Sequence, residues 1–186
     1  WDNVGKSDGK FDEKKFADVA FEHLKRPDLT SDADYVSGAL PALSARGLDS
    51  ADDQVVRTAL PLIRERARSF EDAAYHLDFY FRDPPEFDPK VTQKILVPEA
   101  APKLLAFRDW LAQQDLAAPE LEAAFKSWVE AKGWSLKDVA QPVRVALTGR
   151  GTSPGLFEMM QIMGKELALA RLQRGAERAS TPGPTS

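Results

Sequence analysis

The chain has 186 residues, 43% hydrophobic and 29% charged, a soluble globular balance with enough apolar material for a core of its own. It has no cysteine and only two histidines, His23 and His76, which excludes disulfide scaffolds and thiol nucleophiles and leaves too few ligands for a structural zinc site. The net charge is −4, no apolar run approaches the roughly 20 residues of a membrane span, and no basic-then-apolar leader opens the chain, so a cytoplasmic protein is expected.

Helical periods dominate. Phe16, Val19, Ala20 and Leu24 fall on one helix face, opened at Phe11-Asp12 and closed at Arg26-Pro27. Ser31 caps a second helix carrying Val36, Leu40 and Leu43, with Gly47 past its end. A third starts near Ser50 and turns Val55, Ala59, Leu62 and Ile63 inward. Pro41 and Pro61 fall inside these two patterns, where each predicts a kink or restart. Ser69 caps a helix carrying Ala73, Leu77 and Tyr80. Asp52-Asp53, adjacent on a helix, read as helix-start charges and not as a carboxylate dyad.

The segment Arg82-Asp-Pro-Pro-Glu-Phe-Asp-Pro89 is a stiff connection and the best internal boundary. Asp88-Pro89 starts a new helix at once. Pro98 opens a helix with Leu104, Leu105, Trp110 and Leu111; Pro119 opens one with Leu121, Phe125, Trp128 and Val129, ended by Gly133. Ser135 with Asp138 caps the helix of Val139, Val143 and Leu147. After an interruption at Thr148–Gly155, the set Leu156, Met159, Met160 and Met163 resumes the helical spacing. Gly164 breaks it, and Glu166–Arg178 form a last helix; residues 179–186, without an apolar residue from Ser180 onward, read as a disordered tail. Strand and hairpin signals are weak. The expectation is an all-α chain of two consecutive small bundles.

The charge is unevenly placed. Arg57, Arg64, Arg66 and Arg68 face one acid, Glu65, within 57–68; six basic and three acidic residues lie within 144–178. Two basic islands therefore stand in an otherwise acidic chain. They fit either solvated helix faces or patches for a polyanion.

No catalytic constellation is present: no phosphate loop after a strand, no His-x-x-x-His, no nucleophile elbow. No metal site and no cofactor site is expected on this chain. The unusual element is Gln141-Pro-Val-Arg-Val-Ala-Leu-Thr-Gly-Arg-Gly-Thr-Ser-Pro-Gly-Leu-Phe157. A helix stops, a loop rich in small residues exposes backbone groups, and a helix restarts at Pro154-Gly155. Such amides beside an arginine suit anions or unstacked base edges; a plain capped linker would look the same.

The stretch 141–157 resembles the C-terminal signature of bacterial glutamyl-tRNA synthetases. Met163-Gly-Lys-Glu166, Ala170-Arg-Leu172, Ala59-Leu-Pro-Leu-Ile-Arg-Glu-Arg66, Phe79-Tyr-Phe-Arg-Asp83, Pro98-Glu-Ala-Ala-Pro102 and Trp134-Ser-Leu-Lys137 extend the likeness in order. It covers residues from about 4 to 178. Val4–Asp12 resembles the family's stem-contact subdomain, although Ala20 and Phe21 stand where the family commonly has an Asn-Gly pair.

The resemblance implies the anticodon-binding half of an enzyme that joins glutamate to its tRNA using ATP and Mg. The His-Ile-Gly-His and Lys-Met-Ser-Lys-like motifs of the catalytic part are absent, so the chain by itself is expected to be non-catalytic. A start at Trp1, inside family-like sequence, fits an excised C-terminal half. The implied parts are 1–27, the end of the stem-contact subdomain, then anticodon-binding subdomains at 28–87 and 88–178. Arg66 matches the arginine that reads the third anticodon base. Arg144, Ser153, Pro154 and Leu156 match positions around the first two bases, with Thr148 and Gly149 shaping the loop. The implied partner is the glutamate tRNA, with no DNA, no membrane and a monomeric chain. The rival expectation is a helical protein–protein interaction module. A glutaminyl-specific enzyme of the eukaryotic type reads anticodons with β-barrels and fits poorly.

Overall fold

The computed structural model describes residues 12–83 and 85–181. Among these are ten α-helices and no strand: α1 (Glu13–Lys25), α2 (Asp32–Ser44), α3 (Asp53–Ile63), α4 (Phe70–Leu77), α5 (Pro89–Ile95), α6 (Ala101–Ala112), α7 (Leu121–Ala131), α8 (Leu136–Thr148), α9 (Leu156–Met163) and α10 (Lys165–Ser180). The all-α expectation holds. The Val4–Phe11 part of the stem-contact likeness and residues 182–186 of the expected tail lie outside the described residues.

Local chemistry sets most helix starts. Ser31, Asp52, Ser69, Asp88 and Ser135 each accept a hydrogen bond from a first-turn amide, satisfying a donor the helix itself cannot. Several boundaries differ from the sequence reading. The fourth helix stops at Leu77 and tightens into a 3-10 turn at Asp78–Tyr80. Pro98 opens a 3-10 turn ahead of α6, and α7 begins at Leu121, two residues after Pro119. The last helix continues through Ser180, because Ala179 is buried. Pro41 and Pro61 bring no restart; α2 and α3 each run through as one helix. The carbonyls these prolines leave unpaired, four residues back, belong to the exposed Ser37 and Arg57, where water can satisfy them.

Helices α2, α3 and α4 pack on one another, and α6 and α8 pack on α10. Helices α5 and α7 lean on α8, while α9 bridges, touching both α10 and α3. Leu43, Ile63 and Leu77 of the first group and Leu104, Phe107, Leu147 and Leu172 of the second are fully buried. Each such side chain contributes about 1.5–3 kcal/mol. The α8–α10 contact is close because Gly175 offers no side chain: a Cβ there would come within 2.4 Å of Ala146 Cβ. Helix α1 departs from expectation. Its apolar stripe finds little cover, with Phe16 60% and Val19 51% exposed and only Leu24 buried. Besides Leu24 it is tied by Lys25–Glu65 at 3.2 Å and the Arg68–Asp18 pair, with the Arg68 guanidinium 5.0 Å from the Phe21 ring centroid.

Candidate nucleic-acid interface

Helices α3 and α9 touch; the turn after α3 carries Arg66, and the loop between α8 and α9 leads into the second of these helices. That loop is built from its glycine outward. Gly149 closes α8 with φ 74°, donating its N–H to the Val145 carbonyl at 2.8 Å. Left-handed backbone favours glycine. Glycine also fits because a Cβ would fall 2.0 Å from the Glu86 carbonyl oxygen. The Gly149 carbonyl accepts from the Asp88 N–H at 2.9 Å, so the proline-rich connection is fastened to the loop. Thr148 Oγ1 donates to the Arg144 carbonyl at 2.8 Å and accepts from the Arg150 N–H at 3.1 Å. Gly155 caps α9 with no side-chain acceptor for the first-turn amides.

Arg144 organises the far end of the loop. Its Nη1 donates to the carbonyls of Ser153 (3.1 Å) and Pro154 (2.9 Å) and to Ser153 Oγ. It has no carboxylate partner among the described residues. Burial first, and then the nearby Arg66, push the Arg144 guanidinium below the ordinary arginine range. Arg66 itself is exposed and has neither an ion pair nor a side-chain hydrogen bond among the described residues. Next to it, His76 is held below its usual pKa, by burial first; the positive charges of Arg150 and Arg66 add to that, against Asp72 and Asp78. Two guanidiniums and an imidazole thus share one region with no carboxylate bound to either arginine.

The other island arginines are largely internal ties. Arg150, 7% exposed, donates to Asp78 Oδ1 at 2.7 Å and to the Tyr75 carbonyl. Its guanidinium also lies 3.6 Å from the Tyr75 ring centroid. Asp78, 1% exposed, takes a second arginine, Arg46, at 2.6 Å. Arg171 is buried and donates to the carbonyls of Leu147 (2.6 Å) and Arg82 (2.8 Å) and to Asp83 at 3.3 Å. Arg64 donates to the Leu24 and Thr30 carbonyls and pairs with Asp32 at 2.7 Å. Arg57, Arg68 and Arg174 pair with Asp53, Asp18 and Asp83.

The seven sequence-named residues therefore divide. Arg66, Arg144 and Ser153 reach solvent; Thr148, Gly149, Pro154 and Leu156 are buried. Thr148 and Gly149 shape the loop. Leu156, 9% exposed, joins the core cluster with Met159 and Met160. The sequence reading missed Asp78 and Tyr75, which hold Arg150, and Arg46, which shares the Asp78 carboxylate. No spacing signal could have found them, since Asp78 and Arg150 are 72 residues apart in sequence. Among the described residues no group of acids and histidines could hold a metal, and no helix is long and apolar enough to cross a membrane.

Comparison with known proteins gives this region its context. A family model described as an anticodon binding domain matches residues 16–176, and the chain belongs to that family. It is 40% identical to a glutamate–tRNA ligase of Anaeromyxobacter sp. (strain Fw109-5) over 171 residues, 91% of this chain and 36% of that protein. It is 34% identical to the glutamate–tRNA ligase of Desulfosudis oleivorans, over 95% of this chain and 37% of that one. A crystal structure of a glutamate tRNA ligase from Elizabethkingia meningosepticum matches the fold with a TM-score of 0.75. There the identity is 24%, over 90% of this chain and 32% of that one. The chain thus spans about a third of the length of these relatives. The rival interaction-module reading gains no support from them.

Proposed function

We propose that this chain reads the anticodon of a glutamate tRNA, as the C-terminal part of a glutamate–tRNA ligase. The observation that carries the reading is the Arg144 guanidinium, which holds the Ser153 and Pro154 carbonyls of the 149–155 loop, feels the charge of Arg66 and, like Arg66, has no carboxylate partner among the described residues. Arranging like charges together is unfavourable in a free protein and becomes favourable once a polyanion arrives. The Arg66 guanidinium offers a planar fork of donors to the acceptor atoms of a third-position cytosine. Ser153 and the backbone fixed by Arg144 present polar groups to the first two bases, and Leu156 supports that backbone from beneath.

In this proposal ATP, Mg and the joining chemistry belong to a part of the parent enzyme outside this chain, which alone performs no chemistry. The parent is a cytoplasmic monomer whose partner is tRNA. The chain divides near residues 84–92 into two anticodon-binding subdomains, 28–87 and 88–178. Docking the correct anticodon orients the acceptor end of the tRNA for reaction.

The test is binding of a glutamate-tRNA anticodon stem-loop to this chain across a salt series. Affinity that falls steeply with salt supports the reading, because neutralised phosphates release counterions. Absent or salt-indifferent binding overturns it.

A further inference from the structure

An open groove of about 680 Å³ lies between α5, the α6 start and the first half of α8. Lys90 and Lys94 stand on one wall and Lys137 on the other, with Val91, Ile95 and Pro142 lining the space between them. All three lysines are exposed, and none has a carboxylate partner among the described residues. A fourth, Lys103, is already engaged with Asp138 at 3.8 Å; Glu99 is the second acid on the rim. Cations thus outnumber acids in a groove whose lining is partly apolar.

The groove is continuous with the anticodon-type loop. Gly151 of that loop and Gln141 of α8 both line it. Lys137, Gln141 and Arg144 follow one another at four and three residues, so they mark one face of α8. From Lys137 to Arg144 the rise is about 10 Å, near the length of three stacked nucleotides at about 3.4 Å each. Ammonium groups along such a path meet phosphates, while the aliphatic side chains Val91, Ile95 and Pro142 between them offer apolar surface to the sugars.

We infer that the α5–α8 groove holds the single-stranded RNA backbone flanking the anticodon, with its phosphates on Lys90, Lys94 and Lys137. This rests on the proposed anticodon function and extends it: the loop region with Arg66 selects the base, and the lysine groove anchors the strand without reading sequence.

The test compares four forms of the chain: wild type, the triple variant Lys90→Gln/Lys94→Gln/Lys137→Gln, the same three positions changed to Arg, and Arg66→Gln. Each is titrated with the glutamate-tRNA anticodon stem-loop and with a loop altered at the third base, over a salt series. Melting curves confirm folding, which exposed lysines should not disturb. Each lost single-strand phosphate contact lowers the salt slope by about 0.7, so the Gln triple should lose about 2 while keeping the preference between the two loops. The Arg triple should restore the slope. Arg66→Gln should instead change the preference. A wild-type slope in the Gln triple, with binding and Arg66-dependent preference intact, overturns the groove alone. No RNA binding by the wild type overturns the proposed function and the groove with it. Inorganic phosphate replacing chloride at constant ionic strength should leave RNA affinity unchanged; strong competition would make the groove a free-phosphate site and overturn the RNA assignment.

Discussion

Arg144 lies half-buried with Arg66 as its charged neighbour, and burial first, that second cation next, push its guanidinium below the ordinary arginine range. The two residues stand on different helical groups, one after α3 and the other within α8. Their proximity follows from the α3–α9 contact. It brings one arginine of each basic island under the other's charge.

The first prediction concerns base selection. Arg66→Gln should relax the preference for cytosine at the third anticodon position by about 1–3 kcal/mol, the scale of a bidentate arginine contact in DNA. Glutamine offers both a donor and an acceptor and so tolerates more base edges. The measurement is the ratio of dissociation constants for stem-loops differing at that base. Equal weakening of all loops would make Arg66 a phosphate anchor instead.

The buried tie beneath the loop gives the second. Asp78→Ala removes the carboxylate held by both Arg150 and Arg46. Arg150 would then be a buried charge without its partner, a change that costs about 3–5 kcal/mol. Asp53→Ala, which removes the exposed partner of Arg57, should cost less than about 1 kcal/mol. Urea unfolding of the two variants should separate them clearly.

The sequence showed the helices well and the tertiary ties poorly. Ser31, Ser69, Asp88 and Ser135 announce their helices because a cap is a local event, complete within four residues. The fate of the arginines is not local. Arg150 and Arg171 read like solvated charges of a basic island, yet both are buried against carbonyls and carboxylates brought from 24 to 89 residues away. The candidate site stood out as a motif, and within it Thr148 and Gly149 bond the loop backbone as a loop-shaping pair would. Helix α1 misled for a related reason. Its stripe has the right period, but period alone does not set how deeply each residue is buried: Leu24 is, while Phe16 and Val19 stay more than half exposed.

Leu156 supplies the third prediction. Its place in the core cluster means that Leu156→Ala should cost about 2–5 kcal/mol, and Leu156→Asp more, since an unpaired carboxylate would be buried. Thermal unfolding followed by circular dichroism measures both. A fully stable Leu156→Asp chain with lost RNA binding would instead place this side chain against the bases.

The fourth compares two glycines. Gly47 and Gly149 have similar left-handed backbones, φ 76° and 74°. An alanine at either carries the cost of that conformation, about 1–2 kcal/mol. At Gly47 nothing lies within 4 Å of the added Cβ, whereas at Gly149 the Glu86 carbonyl oxygen lies 2.0 Å away. Gly149→Ala should therefore destabilise clearly more than Gly47→Ala, and it should loosen the Asp88–Gly149 hydrogen bond that fastens the connection. Denaturant midpoints give the first comparison, and amide exchange at Asp88 gives the second.

The last prediction is a pH dependence centred on His76. Burial is the largest cause of its lowered pKa; Arg150 and Arg66 lower it further, while Asp72 and Asp78 oppose them. The unfolded chain, with an ordinary histidine near 6.5, therefore takes up its proton at a higher pH than the folded chain does. Stability rises with pH wherever the unfolded state binds more protons. The His76 contribution should thus be complete above about pH 6.5, fall as the pH drops from there, and level off below the folded pKa. Replacing His76 with Gln should remove that slope. Arg66→Gln should raise the His76 pKa by removing a neighbouring cation, and a bound RNA phosphate should raise it for the same electrostatic reason. Proton NMR titration of the His76 ring, in the free wild type, in Arg66→Gln and in the RNA complex, checks all three. A His76 pKa unmoved by Arg66→Gln would place the Arg66 guanidinium away from His76 in solution.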